Sequence, residues 1–88
     1  MYTITIKSQA KNDLKKIKGS KLEKNFLKII NTLRHDPFEN SRSFEKLVPP
    51  ISRFYSRRIN ILHRVVYTVD NESKTVTIWY AYGQYQRN

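Results

Sequence analysis

The sequence predicts an α+β fold of order β-α-α-β-β-β, in which a helix hairpin packs on one face of a mainly antiparallel sheet. Three observations predict it. Apolar and polar residues alternate near the N-terminus. Apolar residues then recur at helical spacing in two blocks divided by a Gly-Ser turn. They alternate again in three blocks after residue 53.

Tyr2, Ile4 and Ile6 alternate with Thr3, Thr5 and Lys7, the pattern of a strand with one buried face. Ser8 is placed to cap a first helix whose Ala10, Leu14 and Ile17 share one side, and Gly19 is its expected stop. Ser20 and Glu23 have the spacing of a capping box. The second helix they open runs to about Arg34, with Leu22, Phe26, Ile29, Ile30 and Leu33 on one face and Asp36-Pro37 just past its end. The short Gly19-Ser20 link makes the two helices a hairpin. Residues 35–52 read as irregular, with Pro37, Pro49 and Pro50, apart from a short strand expected in Phe44-Glu45-Lys46-Leu47. Strands follow over 53–59, 63–69 and 75–82, and Asp70-Asn71-Glu72-Ser73 supplies turn chemistry between the last two. Strands joined by short turns pair antiparallel. The two helical stripes must cover one face of the resulting sheet. The other face stays open and carries Arg58 or Arg57, together with Arg64.

A chain of 88 residues predicts one domain, over residues 1–88, with a single modest core. The absence of cysteine excludes a disulfide framework, a thiolate zinc site and a cysteine nucleophile, and favours a cytoplasmic location. No apolar run approaches membrane-spanning length, so no membrane partner is expected. The formal charge of +10 points to polyanionic partners: nucleic acid or an acidic protein. The charge is unevenly made. All but one of the nine basic residues before position 35 are lysines, whereas six of the eight after it are arginines. Lysine is a hydrated point charge suited to steering. Arginine is a planar fork that grips phosphate with two bonds. The second part is therefore expected to hold the site.

The densest candidate stretch is Ser56-Arg57-Arg58-Ile59 with His63-Arg64-Val65-Val66-Tyr67. Glu45 stands in a basic neighbourhood between Arg42 and Lys46. Such a carboxylate is either a surface counter-charge or a general base. As a base it would take the proton of a ribose 2′-OH, whose oxygen then attacks the adjacent phosphate, while cations such as Arg58 and Arg64 stabilise the added negative charge. No His/Asp/Glu run has metal-ligand spacing, so neither metal nor other cofactor is expected. Five of the six tyrosines lie after residue 54, and Tyr82 and Tyr85 are placed to stack a base or donate a phenolic proton. His63 should point away from Arg64 and be structural.

These residues carry a resemblance. Asp36-Pro37-Phe38, Phe44-Glu45-Lys46-Leu47, Tyr55-Ser56-Arg57-Arg58-Ile59, His63-Arg64-Val65-Val66-Tyr67-Thr68-Val69-Asp70 and Tyr82-Gly83-Gln84-Tyr85 occur in the order of the YoeB branch of the RelE toxin superfamily. The chain resembles that branch over nearly its whole length. The resemblance implies a RelE-like microbial RNase fold and the toxin of a type II toxin–antitoxin system. It implies metal-independent, ribosome-dependent cleavage of messenger RNA. Its partners would be an acidic antitoxin, the ribosome with mRNA, and operator DNA only through the antitoxin complex. Glu45 would be the general base, Arg64 the transition-state stabiliser, and Lys46, Arg57, Arg58 and Tyr82 substrate contacts. The family's C-terminal His-Tyr pair falls on Gln84-Tyr85. Glutamine carries no titratable proton, so Gln84 cannot replace the histidine as general acid. Tyr85 takes that role, the ribosome supplies it, or the chain is a weakened homologue that binds RNA and acts mainly as antitoxin partner and co-repressor. Val48 also departs from the family, which often has a phosphate-touching lysine there; Lys46 is the residue placed to compensate.

Overall fold

The computed structural model describes residues 1–40, 44–46 and 53–83. Its elements are β1 (Thr3–Ile6), α1 (Ser8–Ile17), α2 (Glu23–His35), β2 (Glu45–Lys46), β3 (Tyr55–Arg58), β4 (Arg64–Asp70) and β5 (Thr75–Tyr80). The five strands form one sheet of order β1-β5-β4-β3-β2. β2, β3, β4 and β5 pair antiparallel in succession, and β1 runs parallel to β5, with Ile4 beside Val76. The α+β architecture thus agrees with the sequence reading, and the β1–β5 pair is its one parallel ladder among the described residues. β1 and β5 are joined through the helix hairpin and the three intervening strands, so no tight turn forces them antiparallel.

The core lies between the helices and one sheet face. Ala10 and Ile17 of α1 and Phe26, Ile30 and Leu33 of α2 meet Val65, Tyr67, Val76 and Ile78. These are the helical stripes read from the sequence. The ends of the helices differ in detail. Lys7, not Ser8, is the N-cap of α1, and no side chain caps it. The Ser20/Glu23 pair works one residue out of step with a capping box. Ser20 Oγ accepts from Leu22 N at 3.1 Å, and Glu23 Oε1 accepts from Gly19 N at 3.3 Å, with α2 starting only at Glu23. Gly19 takes φ +80°, which lets the chain reverse without a Cβ clash. Asp70 Oδ1 accepts from Glu72 N and Ser73 N and so closes the turn between β4 and β5.

Two buried polar side chains tie these layers together. Asp13 of α1 is 3% exposed. Its Oδ2 accepts from Ala81 N at 3.0 Å and its Oδ1 from Gln9 Nε2, which fixes the end of β5 against the helix. Arg57 is also 3% exposed, and it anchors the segment after α2. Nη2 donates to the carbonyls of Pro37 and Glu39, and Nε donates to the Tyr67 hydroxyl. The Tyr67 hydroxyl in turn donates to Pro37 O at 2.7 Å.

Candidate active site

Alternation along the strands decides what reaches the open face. Ser56 opposes Glu45 on β2 and Val66 on β4, and Arg58 opposes Arg64. These residues share the face turned away from the helices. Arg64 Nη1 donates to Glu45 Oε1 at 2.6 Å and to Ser56 Oγ at 3.3 Å. The Glu45 carboxylate is more than half exposed and the Arg64 side chain a quarter exposed. The pair is therefore a charge-assisted contact that an incoming anion can reach. Among the described residues, Nε and Nη2 of Arg64 make no hydrogen bond, so the fork keeps donors for a ligand. Arg58, exposed and directly opposite Arg64, adds a second guanidinium on the same face. The arrangement joins one carboxylate to two cations, a set able to accept a proton and stabilise an oxyanion at neighbouring points.

The other expected site residues are not all brought here. Arg57 points to the helix side, where Tyr67, Pro37 and Glu39 hold it and its guanidinium lies 4.8 Å from the Phe44 ring. It is a structural cation, because its neighbour Val65 faces the core and strand periodicity sends it the same way. Lys46 opposes Tyr55, which stacks on Tyr67 and on Phe44. It therefore leaves the edge strand on the face opposite to Glu45, although it is exposed. Tyr82 also belongs to the helix side. Its ring stacks on His63 at 4.2 Å, and the Lys16 ammonium of α1 lies 5.2 Å from it. Gln84 and Tyr85, like Arg42 and Val48, lie outside the described residues.

His63 has a more definite role than the sequence suggested. Its Nδ1 accepts from Gly83 N at 2.8 Å, and Gly83 O accepts from Arg64 N at 3.2 Å. The chain thus passes Gly83 clamped between two consecutive residues of the site region, just before Gln84. Gly83 has φ +93°, a conformation that glycine adopts without strain.

A second feature escaped the sequence reading altogether. Val66 pairs with Tyr80, but Tyr67 pairs with Ile78, so β5 carries a bulge at Trp79. The extra residue reverses the alternation. Trp79 and Tyr80 both turn to the open face, and Ala81, not Tyr80, enters the core. Trp79 Nε1 donates to Thr68 Oγ1 at 3.0 Å, and its ring lies 5.7 Å from that of Phe54. Nothing in a strict period of two announces this.

With this geometry in place, comparison with known proteins is informative. A family model described as the YoeB-like toxin of bacterial type II toxin-antitoxin systems matches residues 7–82. A comparison with curated proteins finds no match. Among solved structures, a YoeB dimer from Staphylococcus aureus is 29% identical with a TM-score of 0.81, over 96% of this chain and 98% of that one. A heterotetrameric YoeB–YefM toxin–antitoxin complex from the same organism is 28% identical, with a TM-score of 0.79 over 97% and 99%. A YoeB/ParE toxin from Agrobacterium tumefaciens has a TM-score of 0.84 at 19% identity, over 94% and 99%, a likeness of fold.

Proposed function

The chain belongs to the YoeB-like toxins of bacterial type II toxin–antitoxin systems, and from that premise we propose that it is a ribosome-dependent endoribonuclease that cuts messenger RNA by attack of a ribose 2′-OH on the adjacent phosphate. The observation that carries this reading is the 2.6 Å contact of Glu45 with Arg64 on the open face, with Arg58 in register beside it. Glu45 takes the 2′-OH proton. The 2′-oxygen forms its bond to phosphorus, and the bond to the departing 5′-oxygen breaks. Arg64, sharing its donors between Glu45 and the phosphate, stabilises the extra charge as it develops. Arg58 holds the phosphate from the opposite strand. The 5′-oxygen needs a proton, for which Tyr85 or a ribosomal group is the donor, since Gln84 has none to give. No metal enters these steps.

An acidic antitoxin is the expected protein partner in the cytoplasm, covering the arginine-bearing face and carrying the toxin to operator DNA. The S. aureus YoeB–YefM complex, a toxin together with its antitoxin, supports a partner of this class, and the charge of +10 supports its acidity.

The test is mapping of messenger RNA ends in a translation extract with wild type and Glu45→Gln. New ends with wild type alone support the reading. Intact transcripts with both, at a dose that arrests growth, overturn it. Gln84 favours a second reading, a toxin homologue that binds RNA or the ribosome and works mainly with its antitoxin as a co-repressor. In that case Glu45→Gln leaves the growth phenotype unchanged.

A further inference from the structure

We propose that the open face carries a base-stacking subsite beside the Glu45–Arg64 pair, with Trp79 as its platform and an unpaired base of single-stranded RNA as its ligand. The inference rests on the reading that RNA is the substrate of this face.

The first support is the exposure of aromatic surface where a core is absent. The bulge turns Trp79 and Tyr80 together onto the open face, and Tyr80 is 46% exposed. Trp79 beside it is partly exposed, and aromatic faces on a basic sheet are the usual platform for unstacked bases. The second support is that the indole is held in place. Its Nε1 bond to Thr68 Oγ1 and its contact with Phe54 fix the ring before any ligand arrives. A preorganised ring loses little entropy on stacking.

The third support is the charge around it. The Lys7 ammonium lies 5.0 Å from the Trp79 ring, and Arg53 lines the same cleft. The cleft, about 670 Å³, runs along the open face over Thr68, Thr77 and Trp79, and ends at the acidic turn with Asp70 and Glu72. Lys7 sits over the ring and Arg53 shares the cleft with it, while Asp70 and Glu72 line the same cleft and disfavour a phosphate beside them.

The fourth support is continuity with the site. Thr68, which holds the indole, is four residues from Arg64 on the same strand and the same face. At about 3.3 Å per residue that is roughly 13 Å, or about four steps of nucleic acid at its stacked spacing of about 3.4 Å. A strand with its scissile phosphate at Arg64 therefore reaches Trp79 within a few nucleotides.

Trp79 is the only tryptophan in the chain, so its emission reports on this subsite alone. The experiment titrates the Glu45→Gln protein with a short single-stranded oligoribonucleotide labelled for anisotropy. Controls are an oligomer of the same charge lacking bases, and an acidic peptide. Quenching of Trp79 that tracks RNA binding, with little quenching by the abasic oligomer, is the expected result. Trp79→Ala should weaken RNA binding by roughly five- to a hundred-fold, the usual effect of losing one stacked base, and Trp79→Phe should restore most of it. RNA binding without quenching overturns the subsite, as does an absence of RNA binding. Quenching by the acidic peptide but not by RNA assigns the cleft to a protein partner and also overturns it. The cleavage reading is judged separately. Wild type that cuts with the same KM and the same base preference as Trp79→Ala sinks the subsite alone. Quenching by RNA in a protein that never cuts sinks the nuclease alone.

Discussion

Arg57 and Arg58 are neighbours in sequence and lie on opposite sides of the sheet. Arg57 is buried among Tyr67, Pro37 and Glu39, and Arg58 is exposed opposite Arg64. On the proposed function, the pair separates stability from activity. Arg57→Ala takes the donor from the Glu39 carbonyl and from the buried Tyr67 hydroxyl and leaves Pro37 O with its Tyr67 bond alone, at a cost of about 3 kcal/mol. For a domain of this size that lowers the melting temperature by at least about 10 °C. Arg58→Ala should leave the melting temperature within about 3 °C and lower the rate of RNA cutting. Calorimetry and end mapping on both variants check this. A stable Arg57→Ala protein would contradict the structural role.

On the proposed mechanism Arg64 acts on the charge that develops during the reaction, so its loss should fall on the rate more than on affinity. Arg64→Ala is expected to lower kcat by roughly 10²–10³-fold, the usual effect of one oxyanion-stabilising donor. Arg64→Lys should recover part of the loss, because an ammonium restores the charge but not the fork. The measurement is single-turnover cutting on programmed ribosomes. A change confined to KM would reduce Arg64 to a binding contact.

Burial pushes the Tyr67 hydroxyl up to about 12, against the lowering pull of Arg57 beside it. Its folded value is raised above the unfolded value of about 10. The stability it contributes is therefore complete below pH 10 and is lost as pH rises toward 12, because only the unfolded chain releases its proton in that window. The loss is on the order of 2–3 kcal/mol. Urea unfolding at pH 9 and pH 11.5 measures it. Tyr67→Phe should be less stable at pH 9 and should show less of the alkaline decline. Equal declines in both proteins would rule out this origin.

His63 is a positioning residue. It holds Gly83, the last residue before Gln84 in the sequence, beside Arg64. His63→Phe keeps an aromatic ring to stack on Tyr82 and removes the acceptor for Gly83 N. The expected outcome is about a ten-fold slower cut with RNA affinity retained, and a melting temperature within a few degrees of wild type. Faster amide exchange at Gly83 is the accompanying signature, one that simple loss of packing elsewhere would not produce. Unchanged exchange there would disprove the clamp.

Gln84→His places a titratable group at the position where the resemblance to the family implies a histidine. If this position contacts the leaving oxygen, the cutting rate rises by up to about 10²-fold and gains a dependence on pH near neutrality. A rate and pH profile identical to wild type would show that Tyr85 or the ribosome already supplies the proton.

Much of this was legible in the linear pattern. Helical spacing of Ala10, Leu14 and Ile17, and of Phe26, Ile30 and Leu33, marked the two faces that bury. Alternation marked β1 and β4, and motif order marked Glu45 and Arg64 as a pair worth finding together. Those signals are local, because a side chain's face follows from its place in a period of 3.6 or 2.

The rest depended on contacts between distant segments. Which of Arg57 and Arg58 faces outward follows from the register of β3 against Val65 and Arg64, not from the residues themselves. The same register separates Lys46 from Glu45, and the stacking of Tyr82 on His63 draws that ring to the helix side. The bulge at Trp79 reverses the alternation of β5 at a single residue, so a strict count sends Tyr80 and Ala81 to the wrong faces. Asp13 reads as one more polar helix residue until Ala81 N, far along the chain, arrives to bond it. Sequence alone determined that this protein builds a basic sheet covered on one side. Only the tertiary structure decided which side each charge and ring occupies, because strand register is a property of the pairing and belongs to neither strand by itself.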